Sequence, residues 1–259
     1  MPVQISSPAN PRVKELRSLH RRRTRYSEQL FLVEGVRLLE EALAAGFGLQ
    51  TALYVPERLQ KTPRGEALLA RLADSPTAFP TSEEILDSVA DTVTPQGVVA
   101  AVPIPQLPPR PGDLVLVLDG IRDPGNCGTI LRTAEAAGVS LVYCVPGTVD
   151  PFEPKVVRAG MGAHFRLPLR VARWETIAPA LAGFQLLLAE ATAGRPYDQV
   201  DWRLPTALIA GGEAGGPGEE ARRLATAAIS IPMAGAAESL NVTVAAGILL
   251  FEALRQRRG

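Results

Sequence analysis

Residues 114–138 read LVLVLDGIRDPGNCGTILRTAEAAG, and this stretch decides the fold class. Leu114 to Leu118 are apolar without alternation, the pattern of a strand covered on both faces of a parallel sheet. Asp123-Pro124-Gly125 then marks a turn, and Asn126 is a candidate N-cap for a helix that runs to about Ala137 and is stopped by Gly138. Working outward, the same apolar character recurs in SLVYCVPG (140–147), FQLLLAE (184–190), TALIAGG (206–212) and AAISIPM (227–233). Helical patterns fall between them, near 154–160, from Trp174 to about Leu181, near 217–226, and from about Leu240 to Gln256. Strands alternating with helices predict an α/β fold with a mostly parallel sheet.

Upstream, AVPIPQLPPRPG (101–112) places five prolines in twelve residues, which forbids a regular helix and favours an extended connector. A domain boundary is expected there, giving residues 1–102, a linker at 103–112, and residues 113–259. The first part has its own alternation: FLVEG, VRLLEEALAAG ending at Gly46, TALYVP, helices around 64–73 and 82–90, then GVVAAVP. It reads as a small α/β module.

Composition narrows the function classes. The 259 residues carry 27 Lys+Arg against 27 Asp+Glu and are 46% hydrophobic, which excludes an intrinsically disordered chain. No apolar run is long enough for a membrane span. Cys127 and Cys144 cannot build a disulfide framework, and with His20 and His164 they form no cluster at zinc spacing, so no metal is expected. The start of the chain has no basic region followed by an apolar core, so no secretory signal is read and a cytoplasmic location is expected.

Charge is balanced in sum and uneven in place. Residues 10–25, NPRVKELRSLHRRRTR, carry Arg12, Lys14, Arg17, Arg21, Arg22, Arg23 and Arg25 against Glu15 alone. Such a run suits salt-dependent binding of RNA phosphates; it also suits a solvated helix face.

Ligands of parallel α/β sheets bind beyond the carboxyl ends of the strands, which directs attention to residues 119–138, 210–220 (AGGEAGGPGEE) and 231–247 (IPMAGAAESLNVTVAAG). The first loop offers Asn126 and Arg132, though a cap and an ion pair with Glu135 would explain them equally. The second clusters glycines around Glu213 without a G-x-G-x-x-G or Walker A pattern, so dinucleotide and ATP readings fail. The third sets Ser239 and Asn241 at the entrance of the last helix, where capping accounts for one of them. A Ser-His-Asp hydrolase is a poor fit, since no G-x-S-x-G elbow is present and neither histidine lies near these loops.

Taken together, DPGNCGTILRTAEAAG (123–138), GGEAGG (211–216) and IPMAGAAESLNVTVAAGILLFEALRQR (231–257) resemble the three ordered motifs of the SpoU (TrmH) RNA 2′-O-ribose methyltransferases of the SPOUT superfamily. The S-L-N within the third is the most specific part. SSPANPRVKELRSL, followed by FLVEGVRLLEEAL, resembles the substrate-binding domain that many ribosomal-RNA members carry ahead of the catalytic domain. Two departures stand out: Cys127, where the family usually has an aliphatic residue, and GGEAGG, where a small polar residue and another glycine are common beside the glutamate.

The resemblance implies a C-terminal parallel sheet with a deep trefoil knot, a homodimer, and S-adenosyl-methionine as methyl donor. By matching motifs, the donor would lie against Gly211, Ile231 and Leu240, with Ala189 and Thr192 alongside. Asn126, Arg132, Glu213, Ser239 and Asn241 would be the catalytic set. The family role of Arg132 is to activate the ribose hydroxyl. A guanidinium holds its proton above about pH 12, so anchoring the phosphate and favouring the developing alkoxide is the chemistry expected of it. The implied reaction is 2′-O-methylation of RNA, with 23S ribosomal RNA favoured over tRNA because the family's tRNA members usually lack the N-terminal domain. Two competitors stand beside it: a noncatalytic RNA-binding or ribosome-assembly factor on the same fold, and a binder of some other anionic small molecule, which would leave the arginine run without a use.

Overall fold

Strands and helices succeed one another through much of the described chain. The computed structural model describes residues 4–191, 194–212 and 216–258. The first elements are α1 (Pro11–Ser18), α2 (Arg22–Glu28), β1 (Leu30–Glu34), α3 (Val36–Ala44), β2 (Thr51–Tyr54) and α4 (Pro56–Leu59). They are followed by α5 (Pro63–Ala73), β3 (Ala78–Pro80), α6 (Glu83–Asp87), β4 (Val98–Pro103), β5 (Leu114–Asp119) and α7 (Pro124–Ala136). Next come β6 (Leu141–Cys144), α8 (Pro154–Gly160), β7 (Leu169–Val171), α9 (Trp174–Ala180) and β8 (Gln185–Ala189). The chain closes with β9 (Arg195–Pro196), β10 (Thr206–Gly211), α10 (Glu219–Leu224), β11 (Ala227–Ser230) and α11 (Val242–Arg258). Helices α1 and α2 follow one another directly, as do α4 and α5, and no α-helix separates β4 from β5 or β8, β9 and β10 from one another. No described helix is long and apolar enough to cross a membrane.

The chain divides into two units, one running to Ile104 and including Phe152–Phe165, the other comprising Pro105–Pro151 and the chain from Arg166 onward. In the first, the strand order is β1-β4-β2-β3, with β4 antiparallel to both neighbours and β2 parallel to β3. Leu16 and Leu19, from the stretch that begins with α1, pack with Leu32, Leu53, Leu86 and Val99 in its core. The sequence places the segment 152–165 with the later domain. Aromatic packing explains its membership here: Phe152 meets Phe31 edge-on at 5.4 Å between centroids, and Phe165 lies 5.9 Å from Phe31 and 5.5 Å from Phe47.

The second unit holds a wholly parallel sheet in the order β7-β6-β5-β10-β8-β11-β9. Every residue of β5 is buried, which is why its apolar run shows no alternation. Val115, Val117, Ile209, Leu186 and Leu188 share one core with Trp174 and Ile177 of α9. Neighbours β5 and β10 are in register from Thr206↔Leu114 to Gly211↔Asp119. Their following connections leave in opposite directions, from β5 to β6 and from β10 across β8 to β11. That arrangement opens a crevice beyond the strand ends.

Candidate active site

The first helix of the site begins earlier than the sequence suggested. Asp123, not Asn126, is the N-cap of α7: its Oδ1 accepts from the Asn126 backbone N–H at 2.7 Å, and Pro124 takes the first helical position, where a missing N–H is harmless. Capping therefore leaves the Asn126 side chain to other contacts, and its Oδ1 accepts from Asn241 Nδ2 at 3.5 Å. Asn241 is itself the cap of α11, its Oδ1 accepting from Thr243 N at 2.8 Å and from the Thr243 hydroxyl. The first and third loops are thus joined through two amides 115 residues apart in sequence.

Arg132 lies on the exposed face of α7. The expected local pair with Glu135 does not form, because Glu135 Oε1 accepts from Arg110 Nη2 at 3.4 Å and Arg166 Nε at 3.2 Å. Among the described residues the Arg132 side chain makes no hydrogen bond or ion pair, so its charge is available to a ligand.

A cleft of about 700 Å³ lies beyond the ends of β8, β10 and β11. Ala189, Gly211, Ile231, Ser239, Leu240 and Asn241, all singled out from sequence, line it together. Thr192 and Glu213 fall outside the described residues. Arg132 lies outside the cleft walls, and Asn126 is joined to them through Asn241. Leu208, Ile229, Met233 and Leu249 add apolar wall, and Glu190 and Arg222 add a carboxylate paired with a guanidinium. An apolar slot with a few polar groups suits a nucleoside that carries a charged tail. S-adenosyl-methionine has that composition.

The glycines of the second loop serve close approach of backbones. A Cβ on Gly211 would come within 2.3 Å of Pro217 N, and one on Gly212 within 2.1 Å of Gly120 O. Asp119, which ends β5, reinforces this junction. Its buried carboxylate accepts from Trp174 Nε1 at 3.2 Å and Gly218 N at 3.4 Å. Sequence reasoning passed over Asp119, Glu190 and Arg222. The first two end apolar runs at strand termini, a signal that was present in LVLVLD and QLLLAE; nothing local marks Arg222.

In the first unit the arginine run splits by role. Arg25 is corrected from phosphate ligand to structural group: it is 2% exposed and its Nη1 donates to Leu19 O at 2.8 Å and His20 O at 2.9 Å. Arg17 Nε donates to Ser88 O at 3.2 Å, and Arg12 stacks 4.1 Å over the Phe79 ring. Lys14, Arg21, Arg22 and Arg23 remain exposed.

Burial pushes the Cys144 thiol well above its ordinary range, with smaller contributions from Cys127 and Asp150, in keeping with both cysteines being small buried apolar groups. Among the described residues no cluster of His, Cys, Asp or Glu could hold a metal ion.

Comparison with known proteins gives a consistent picture. The model of the SpoU rRNA methylase family matches residues 113–251, and that of the MRM3-like substrate binding domain matches residues 10–100. The chain is 38% identical to an uncharacterized tRNA/rRNA methyltransferase of Synechocystis, covering 98% of this chain and 94% of the other. It is 32% identical to the 23S rRNA (guanosine(2553)-2′-O)-methyltransferase RlmP of Bacillus subtilis, covering 96% and 98%. Among solved structures, an AdoMet-bound rRNA methyltransferase from Sinorhizobium meliloti aligns with a TM-score of 0.83 at 34% identity, over 98% of this chain and 97% of that one.

Proposed function

This chain belongs to the SpoU rRNA methylase family, and from that premise we propose that it transfers the methyl group of S-adenosyl-methionine to a ribose 2′-hydroxyl of 23S ribosomal RNA. The observation that carries the reading is one cleft at the sheet's carboxyl edge, lined by the segments that follow β8, β10 and β11, with the Asn241–Asn126 hydrogen bond joining the loop after β5 to it. The donor, when bound, supplies an electrophilic methyl on a sulfonium, so the protein's contribution is positioning and electrostatics.

Gly211, Ile231 and Leu240 hold the donor with Ala189 beside it, and the family resemblance adds Thr192 to that set. Arg132 holds the target phosphate and favours the alkoxide that develops on the ribose oxygen. Asn126, Ser239 and Asn241 orient ribose and guanidinium, and the family motif adds Glu213 to that set. Residues 1–102 dock the RNA, with Arg12, Lys14, Arg17, Arg21, Arg22 and Arg23 toward phosphates, and 113–259 perform the chemistry behind the proline-rich linker. Arg17 acts there as a partly exposed group already bound to Ser88.

The same reading includes the trefoil knot and a cytoplasmic homodimer. Support for the dimer comes from α11, where Val244 and Phe251 are 49% and 50% exposed and, seven residues apart, lie on one helical face. The test is transfer from labelled S-adenosyl-methionine to separated, unmodified ribosomal and transfer RNA, followed by nucleoside mass spectrometry. A 2′-O-methylated nucleoside from 23S RNA is expected. The same product from tRNA alone would overturn the substrate, and donor binding without transfer to any RNA would move the chain to the noncatalytic class.

A further inference from the structure

Two charged side chains in the cleft wall have no part in the chemistry above. Glu190 directly follows β8, Arg222 lies on α10, and both line the cleft. They are the only charged groups among its described lining residues. Arg222 Nη1 donates to Glu190 Oε1, and the Glu190 backbone N–H donates to Ile229 O at 2.9 Å. The carboxylate is therefore held from both ends, by β11 through its backbone and by α10 through its side chain. Its side chain is 17% exposed, whereas that of Arg222 is 48% exposed, so Glu190 is the more buried partner of the pair. Oε1 is taken, and among the described residues nothing donates to Oε2.

An adenosine in this cleft brings two vicinal hydroxyl donors that lose water on binding and need an acceptor. The other side-chain acceptors in the wall are less suited: Asn241 Oδ1 already accepts from Thr243, and the Ser239 hydroxyl is neutral. A carboxylate at a parallel-strand end that accepts from a ribose hydroxyl is the solution dinucleotide-binding α/β sheets use, and the same chemistry suits an adenosine here. We propose that Glu190 binds the ribose of the methyl donor, its Oε2 accepting from the vicinal hydroxyls, and that Arg222 is a positioning residue that holds the carboxylate for this contact. The inference rests on the donor-binding reading given under Proposed function. The donor's amino-acid end is the weaker candidate for this spot, because Glu190 and Arg222 already neutralise each other. A neutral diol gains a charge-assisted bond there without displacing that pair.

The experiment measures binding of S-adenosylhomocysteine and 5′-methylthioadenosine by calorimetry. Both carry the ribose, and only the first carries the amino acid. Glu190→Gln, which keeps the side chain's shape, is expected to weaken both by a similar factor of about ten, with tryptophan fluorescence confirming an unchanged unfolding midpoint. Arg222→Met is expected to weaken both by less and to add nothing in the Glu190→Gln background. Loss confined to S-adenosylhomocysteine would reassign Glu190 to the amino-acid end and overturn the proposal, as would unchanged affinity for both. Additive effects of the two substitutions would overturn the positioning role of Arg222. A wild-type protein that binds neither compound would refute the donor-binding reading itself, an outcome distinct from wild-type binding that Glu190→Gln leaves intact.

Discussion

Replacing Gly212 by alanine probes the junction on which the cleft is built. The added Cβ would lie 2.1 Å from Gly120 O and 2.8 Å from Gly120 C, where ordinary contact begins at 3.4 Å. Both obstructing atoms are backbone, so the two loops must separate by more than an ångström. Gly212 has no left-handed φ, and the penalty is therefore steric rather than conformational. Separation on that scale breaks the 3.0 Å bond from Gly212 N to Asp119 O, worth about 1 kcal/mol, and adds overpacking of about 1–3 kcal/mol. The total is about 2–4 kcal/mol, or roughly 6–16 °C in the midpoint of a unit this size. Both tryptophans of the chain, Trp174 and Trp202, are buried in the second unit, so their fluorescence follows its unfolding alone. Gly235→Ala is the control, since nothing lies within 4 Å of its Cβ position. Donor affinity should fall with Gly212→Ala, because Gly211 and Gly212 both line the cleft. A Gly212→Ala protein within about 1 kcal/mol of wild type, with donor affinity unchanged, would refute the argument.

Arg132→Ala should lower methyl transfer by roughly 10²–10³ and leave the donor dissociation constant unchanged, because the residue lies outside the cleft walls; calorimetry that shows lost donor binding in a folded variant would contradict its assigned role. Changing Arg21, Arg22 and Arg23 together to Gln should weaken RNA binding and make the slope of log affinity against log salt shallower by about 2, while an unchanged slope would remove them from the interface. Cys144 should resist thiol reagents in the native state at pH 8, since burial holds its proton. Its raised folded pKa contributes stability that is complete below the unfolded thiol's value of about 8.5 and is lost as pH rises above it, because the native state then binds more protons than the unfolded chain. Cys144→Ala should flatten the decline in unfolding free energy above that pH, and an unaltered slope in denaturant titrations from pH 7 to 10 would count against the assignment.

Much of the fold was legible locally. LVLVLD, TALIAG and QLLLA read as covered strands because residues buried on both faces of a sheet are mostly apolar, with polar ones only at strand ends, and all three lie in the parallel sheet. Short elements escaped notice: β3, β7 and β9 run only two or three residues, too few to show a period, and their pairing comes from neighbouring strands. Helix starts shifted where two capping residues stood close together. Asp123 and Asn126 are both good caps by type, and the choice between them depends on the backbone angles of the turn.

The site divides along the same line. Sequence by itself marked the loops that follow the strands, because strand ends, glycines and short polar side chains pick them out in the order in which they occur. It also determined that charge clusters near the N-terminus, though not which of those charges face water; Arg25, one of several similar arginines, is turned inward to close the carbonyl ends that follow α1. Only the tertiary structure decided that Ala189, Gly211, Ile231 and Leu240 share one cleft, that Asn126 meets Asn241, and that Glu190 meets Arg222 across 32 residues. The physical reason is range. Propensity, periodicity and capping act over a few residues, whereas these meetings are set by the order of strands in the sheet, with β10 inserted between β5 and β8, and by backbone approaches such as Gly212 on Gly120 that no local pattern encodes.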